Sequence, residues 1–150
     1  MFAVLGSPTQ AFVDAIKVRL DADATLMALV SGVFGHVSDA ARVAYPYVVL
    51  GSTNLDEGSH RSMGVAGGRV ELQIDVFSQH GGRSEAQSIL SRVRALLDRH
   101  ALAVGAFTLM AGSLRCEMET VDREFDEDAP GKSLYHGIQR WVAEIDEATR

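Results

Sequence analysis

The stretch from Arg69 to Asp98, RVELQIDVFSQHGGRSEAQSILSRVRALLD, constrains the fold more than any other part of the chain. Its hydrophobic period changes from two to about 3.6 across one glycine pair. Val70, Leu72, Ile74 and Val76 share one side of an extended strand, while Glu71, Gln73 and Asp75 share the other. That alternation suits an antiparallel sheet with one packed and one solvated face. Gly81-Gly82 closes the strand. Ser84 and Gln87 then have capping-box spacing, and Ala86, Ile89, Leu90, Val93, Leu96 and Leu97 form a helical stripe that must cover the sheet.

Length and charge narrow the rest. A chain of 150 residues suits one domain, residues 1–150, burying roughly 70% of its unfolded surface without a disulfide or metal staple. Cys116 is the one cysteine, which removes an intramolecular disulfide and a thiolate zinc cluster and is compatible with a reducing cytoplasm. The opening MFAVLGSP has no basic region and only a short apolar run, so it reads as neither a secretory signal nor a membrane span. A net charge of -6 argues against gripping a nucleic-acid backbone, which needs clustered Lys and Arg.

Flanking elements follow from their boundary residues. Ser7-Pro8-Thr9-Gln10 joins an N-cap serine, an N1 proline and a capping glutamine, and Phe12, Ala15, Ile16 and Leu20 recur at helical spacing up to about Asp21. Asp23 can cap a short second helix with Leu26, Leu29 and Val30 inward and Gly32 at its left-handed C-terminal position. Val33 to Val37 reads as a short extended piece and Ser38 to Ala44 as a connection. Tyr45 to Gly51 reads as a strand with proline at its start. Ser52 to Gly68, glycine-rich and without periodicity, is expected to be a mobile loop or arm. Phe107 to Phe125 reads as one strand bent near Gly112, with Leu114, Cys116 and Met118 opposite Arg115, Glu117 and Glu119. Asp126 to Lys132 is the expected turn into a last strand, Ser133 to Ile145, so the two form a hairpin. The expected fold class is α+β: a mostly antiparallel sheet with helices packed on one face.

Residues that could carry chemistry have ordinary explanations. Gly131-Lys132-Ser133 looks like the end of a P-loop, but the position of the leading glycine is Asp126 and a strand follows where a helix is required. The histidines at 36, 60, 80, 100 and 136 fall in different elements without metal-ligand spacing, and read mostly as surface or turn residues. Cys116 lacks an activating motif and reads as a small buried hydrophobe. Asp122, Glu124, Asp126, Glu127 and Asp128 form the densest charge cluster; a solvated hairpin end is favoured over a cation site because no calcium-loop pattern occurs. Trp141 reads as a core or interface anchor, with Tyr135 on the same strand face. No catalytic constellation, cofactor or metal site emerges.

Taken in order, the segment VRLDADATLMALVSGVFGHV, then YPYVVLG, the glycine-rich arm, ELQIDVFSQHGGRSEAQSILSRVRALLD and the closing HGIQRWVAEI resemble the phage tail-terminator family, which includes tail-completion proteins of siphophages and gene transfer agents. The resemblance spans nearly the whole chain. It implies a virion structural protein, made in the bacterial cytoplasm and placed at the neck end of the tail. There it would form a ring of six copies that stops tube growth and joins the head connector, without catalysis. Its implied partners are further copies of itself, the tail tube protein and a connector or stopper protein, with DNA passing through the lumen unbound and no membrane involved. The family transfers no site residues, so contact candidates come from this chain's own pattern. Asp56, Glu57, His60, Arg61, Met63 and Val65 of the arm are assigned to the tube or subunit interface, and Asp126, Glu127 and Asp128 to the subunit seam or lumen. The rivals are another neck component, such as a stopper or tube subunit, and a small ligand-binding domain or enzyme built on the carboxylate cluster, which would need a concave pocket.

Overall fold

A computed structural model of the chain describes residues 6–35, 43–58, 67–79, 82–125 and 133–147. Helix α1 (Pro8–Asp21) starts where Ser7 accepts a hydrogen bond from the Gln10 amide, and α2 (Ala24–Leu29) starts on Asp23, which accepts from the Leu26 amide. Strands β1 (Val33–Phe34), β2 (Tyr47–Asp56) and β3 (Gly67–Ser78) precede helix α3 (Gly82–Leu97). Strands β4 (Phe107–Leu109), β5 (Arg115–Phe125) and β6 (Ser133–Glu147) follow. The sheet runs β1-β2-β3-β6-β4, with β5 also pairing β6. β1 lies parallel to β2 and every other pairing is antiparallel. The sheet is therefore mixed rather than uniformly antiparallel.

The core is the one expected from periodicity, except that Leu29, expected inward, is 40% exposed at the last position of α2. Val70, Leu72, Ile74 and Val76 are fully buried, and Ala86, Ile89, Leu90, Val93, Leu96 and Leu97 cover them from α3 within one apolar cluster. Phe12, Ile16 and Leu20 of α1 and Leu26 of α2 join that cluster. At the helix–sheet contact, β6 gives way: a Cβ on Gly137 would lie 2.8 Å from a Leu90 methyl, so only a glycine lets the leucine seat this closely. Arg92 of α3 ties α2 down, donating from two nitrogens to the Asp23 carboxylate at 2.9 and 2.8 Å. That pairing with Arg92 is the main reason the Asp23 carboxyl is lowered to about 2.

Several expected boundaries move. The span Phe107 to Phe125 is two strands: Gly112 takes a positive φ of 73°, and β4 and β5 then pair with opposite ends of the longer β6. The arm is partly sheet, because β2 continues to Asp56 and β3 begins at Gly67, with Thr53 to Asp56 paired to Leu72 to Arg69. Cross-strand pairing supplies an order that the segment's own composition does not signal. Gly32 does not adopt the left-handed conformation, since α2 ends with Val30 extended. α3 starts at Gly82, so Ser84 lies inside the first turn rather than capping it. The short piece at Val33 stops at Phe34, and β6 reaches Glu147. Residues 36–42 and the expected turn at 126–132 lie outside the described residues.

Candidate assembly surface

With helices over one face, the other face and the edges of the sheet stay open to contacts. The outward positions of β2, β3 and β6 are not simply polar. Tyr47 is 5% exposed and stacks on Phe77 at 5.2 Å, and Phe77 stacks on His136 at 4.4 Å with the rings 18° apart. Tyr45 and Phe34 extend the row to the sheet margin. Register explains the alignment, because Tyr47 is opposite Phe77 and Phe77 opposite His136. Offset and stacked pairs of this kind add specific geometry to their burial.

His136 sits at the end of that row between two carboxylates. Its Nε2 is 2.7 Å from Asp75 Oδ1 and its Nδ1 is 3.0 Å from Glu124 Oε1. Asp75, 8% exposed, also accepts from Gln73 Nε2 at 3.0 Å. The hydrogen bond to Asp75 outweighs burial and, helped by Glu124, raises the imidazole above its ordinary value of 6.5. His136 is thus an exception among histidines read mostly as surface or turn residues: it lies in the last strand, as the sequence placed it, with its ring against Asp75. Its signal in the sequence was the outward aromatic Phe77 two residues from Asp75, on a face read as solvated.

A pH prediction follows with a definite sign. The protonated, doubly bonded imidazole adds stability that is complete below about pH 6.5 and is lost as pH rises through the elevated folded value. Asp75→Asn should return the His136 midpoint toward 6.5 and flatten that part of the stability profile. Proton NMR titration of the ring, run beside thermal melts, checks it. An unchanged midpoint in the variant would show that Asp75 is not the cause.

The β-bulge between Cys116 and Met118 decides what β5 offers. Strict alternation puts Glu119 outside with Arg115 and Glu117. The extra residue reverses the phase, so Glu119 turns to the helix side, where Arg94 donates to it at 2.9 Å and Gln139 at 2.6 Å. Met118, expected beside Leu114 and Cys116, is instead 36% exposed. Leu114 is fully buried and Cys116 half-buried, and burial pushes the Cys116 thiol up, away from thiolate chemistry. Trp141 is a core residue at 0% exposure rather than an interface anchor.

The arm projects from the β2–β3 pair beyond a register shift between Leu50 and Thr53. Asp56 and Glu57 are exposed on it, and Asp56 Oδ1 accepts from the Gly58 amide at 2.9 Å. Gly68, at φ 148°, holds the arm's two sides together: a Cβ there would lie 2.3 Å from the Asp56 carbonyl oxygen. The other arm candidates, His60, Arg61, Met63 and Val65, lie outside the described residues, as do Asp126, Glu127 and Asp128. Asp122 and Glu124, which precede that acidic run, are exposed on β5. Among the described residues, β5 pairs only with β6 and leaves its outer edge open. Alternating charges along that edge discourage indiscriminate strand addition.

Comparison with known proteins gives the family of the chain. The family model described as tail completion protein gp17 matches residues 14–144. The chain belongs to the tail completion protein gp17 family. Its place is the virion tail, and membership points to a structural rather than a catalytic role. A chain in the virion of a native gene transfer agent particle superposes with a TM-score of 0.77 at 22% identity, covering 93% of this chain and 98% of that one. The gp17 protein of bacteriophage SPP1 superposes with a TM-score of 0.57 at 24% identity, over 99% of each chain. These likenesses show a shared fold. Among curated protein sequences none matches significantly.

Proposed function

We propose that this tail completion protein is the tail terminator of its particle. Six copies form a ring on the finished tail tube, end its polymerisation and offer a landing surface to the head connector or stopper protein. The observation that carries this reading is family membership over residues 14–144, supported by a fold shared over nearly full length with a chain of a gene transfer agent virion. Subunits of a ring that caps a tube meet through two different faces, since like-to-like contacts close as dimers. This chain has dissimilar margins suited to that: the two-residue β1 on one side and the long, charged β5 on the other.

The arm is assigned the tube or subunit contact through Asp56, Glu57, His60, Arg61, Met63 and Val65. Asp126, Glu127 and Asp128 are assigned to the seam or the lumen, where negative charge keeps DNA from adhering as it passes. Particles lacking the protein should carry overlong or irregular tails and unjoined heads, which electron microscopy reads directly. Tails of normal length in its absence would move the protein to another neck position. Hydrogen exchange supplies the residue-level check: amides of 57–66, between the paired ends of β2 and β3, should exchange much more slowly in joined tails than in the free protein. Equal exchange in both states would remove the arm from the interface.

A further inference from the structure

A cleft of about 320 Å³ opens where Arg69 of β3, Arg99 just after α3 and Arg115 at the start of β5 converge beside Val142 and the turn at Gly112. Three guanidiniums in one place stand out on a chain of net charge -6. Glu117 engages one end of Arg69, and Glu144 also lines the cleft. Arg69 Nε is nevertheless buried without a hydrogen-bond partner among the described residues, with the Glu71 carboxylate 3.6 Å away. Neither Arg99 nor Arg115 has a side-chain partner among the described residues.

Arg99 is also placed at a conformational cost. It has φ 60° at the end of α3, where its amide donates to the Leu114 carbonyl at 2.8 Å. Glycine fills such a helix end without strain, so an arginine here brings a cation to the cleft that the turn itself does not need. Seven and nine residues along β5 from Arg115, about 23–30 Å away at strand rise, Asp122 and Glu124 are exposed with opposite charge. The arginine cleft therefore lies at one end of β5 and exposed carboxylates at the other.

The geometry points to this arginine cleft as the socket for the acidic hairpin end of a neighbouring copy, whose carboxylates accept paired hydrogen bonds from Arg99 and Arg115. The inference rests on the ring reading. It gives that ring its head-to-tail direction, because socket and plug are different surfaces of one subunit. Nucleic-acid phosphate is the weaker occupant. Backbone binding uses a track of cations, and here the cations are confined to one cleft on an acidic protein.

The test uses two charge reversals of the full chain, Arg99→Glu with Arg115→Glu, and Asp122→Arg with Glu124→Arg, followed by light scattering and native mass spectrometry. Each variant alone should need at least tenfold higher concentration than wild type to form the closed oligomer. Mixed in equal amounts they should restore it, since each then offers the complement of the other, and that rescue also shows both are folded. Arg99→Lys with Arg115→Lys should assemble within about threefold of wild type, because the cations are kept. Normal assembly of either reversal, or no rescue on mixing, overturns the socket while leaving the ring intact. Wild-type protein that forms no closed oligomer, alone or on tube ends, overturns the ring reading itself. Unchanged assembly together with loss of duplex DNA binding in the arginine variant would reassign the cleft to phosphate.

Discussion

Leu90→Ala should destabilise the fold by about 2–5 kcal/mol, the range for removing a fully buried leucine and leaving a cavity. Leu90 is 0% exposed and lies over Gly137, which has no side chain to swing into the vacated space. For a domain of this size each kcal/mol moves the melting midpoint by roughly 2–4 °C, so the effect is visible in a single thermal scan. Coupling gives a sharper check. Gly137→Ala alone pushes a methyl into Leu90, whereas in the Leu90→Ala background the same methyl enters the cavity, so the double variant should lose less than the sum of the two. A loss below about 1 kcal/mol for Leu90→Ala would place this helix face outside the core.

Gln139→Met is expected to cost about 2–4 kcal/mol, more than its nearly conserved volume accounts for. Gln139 is fully buried and its amide makes three hydrogen bonds. Its Nε2 donates to the Leu90 carbonyl at 3.0 Å and to Glu119 at 2.6 Å, and its Oε1 accepts from Trp141 Nε1 at 3.0 Å. Methionine strands the indole N–H in a dry site, at about 1–3 kcal/mol for a stripped buried group, and removes a donor from the Glu119 carboxylate, whose hydrogen bonds are worth about 1.5–3 kcal/mol. Urea melts followed through Trp141 fluorescence report both the stability and the altered surroundings of the ring. A cost within about 0.5 kcal/mol would mean that these groups find other partners and that the amide does not hold α3 to β5 and β6.

Both residues come from elements whose existence is legible in the chain, yet the two differ in how much of their role is legible. The α3 stripe and the β3 alternation name Leu90 as core because period and burial are the same fact for a surface helix on a sheet. Gln139 gives no such sign: a glutamine in a strand reads as outward until the network of Trp141, Glu119 and the Leu90 carbonyl surrounds it. Family membership followed the order of elements, and the resemblance based on that order agrees with the family match over residues 14–144.

Local chemistry in the sequence determined the caps at Ser7 and Asp23, the switch from β3 to α3 and the apolar core, since each depends on residues within one or two turns. Tertiary structure alone decided four things. The parallel seat of β1 and the pairing of β4 and β5 along one side of β6 depend on chain segments far apart in sequence. The extension of β2 and β3 into the arm depends on each strand satisfying the other's backbone. The bulge at Cys116 and Met118 reverses which residues of β5 face inward, and a single inserted residue leaves no compositional mark. The meeting of Arg69, Arg99 and Arg115, thirty and sixteen positions apart, is invisible to any periodicity. Periodicity reports which side of an element is buried; which charges then share a cleft depends on register and on the turns between elements.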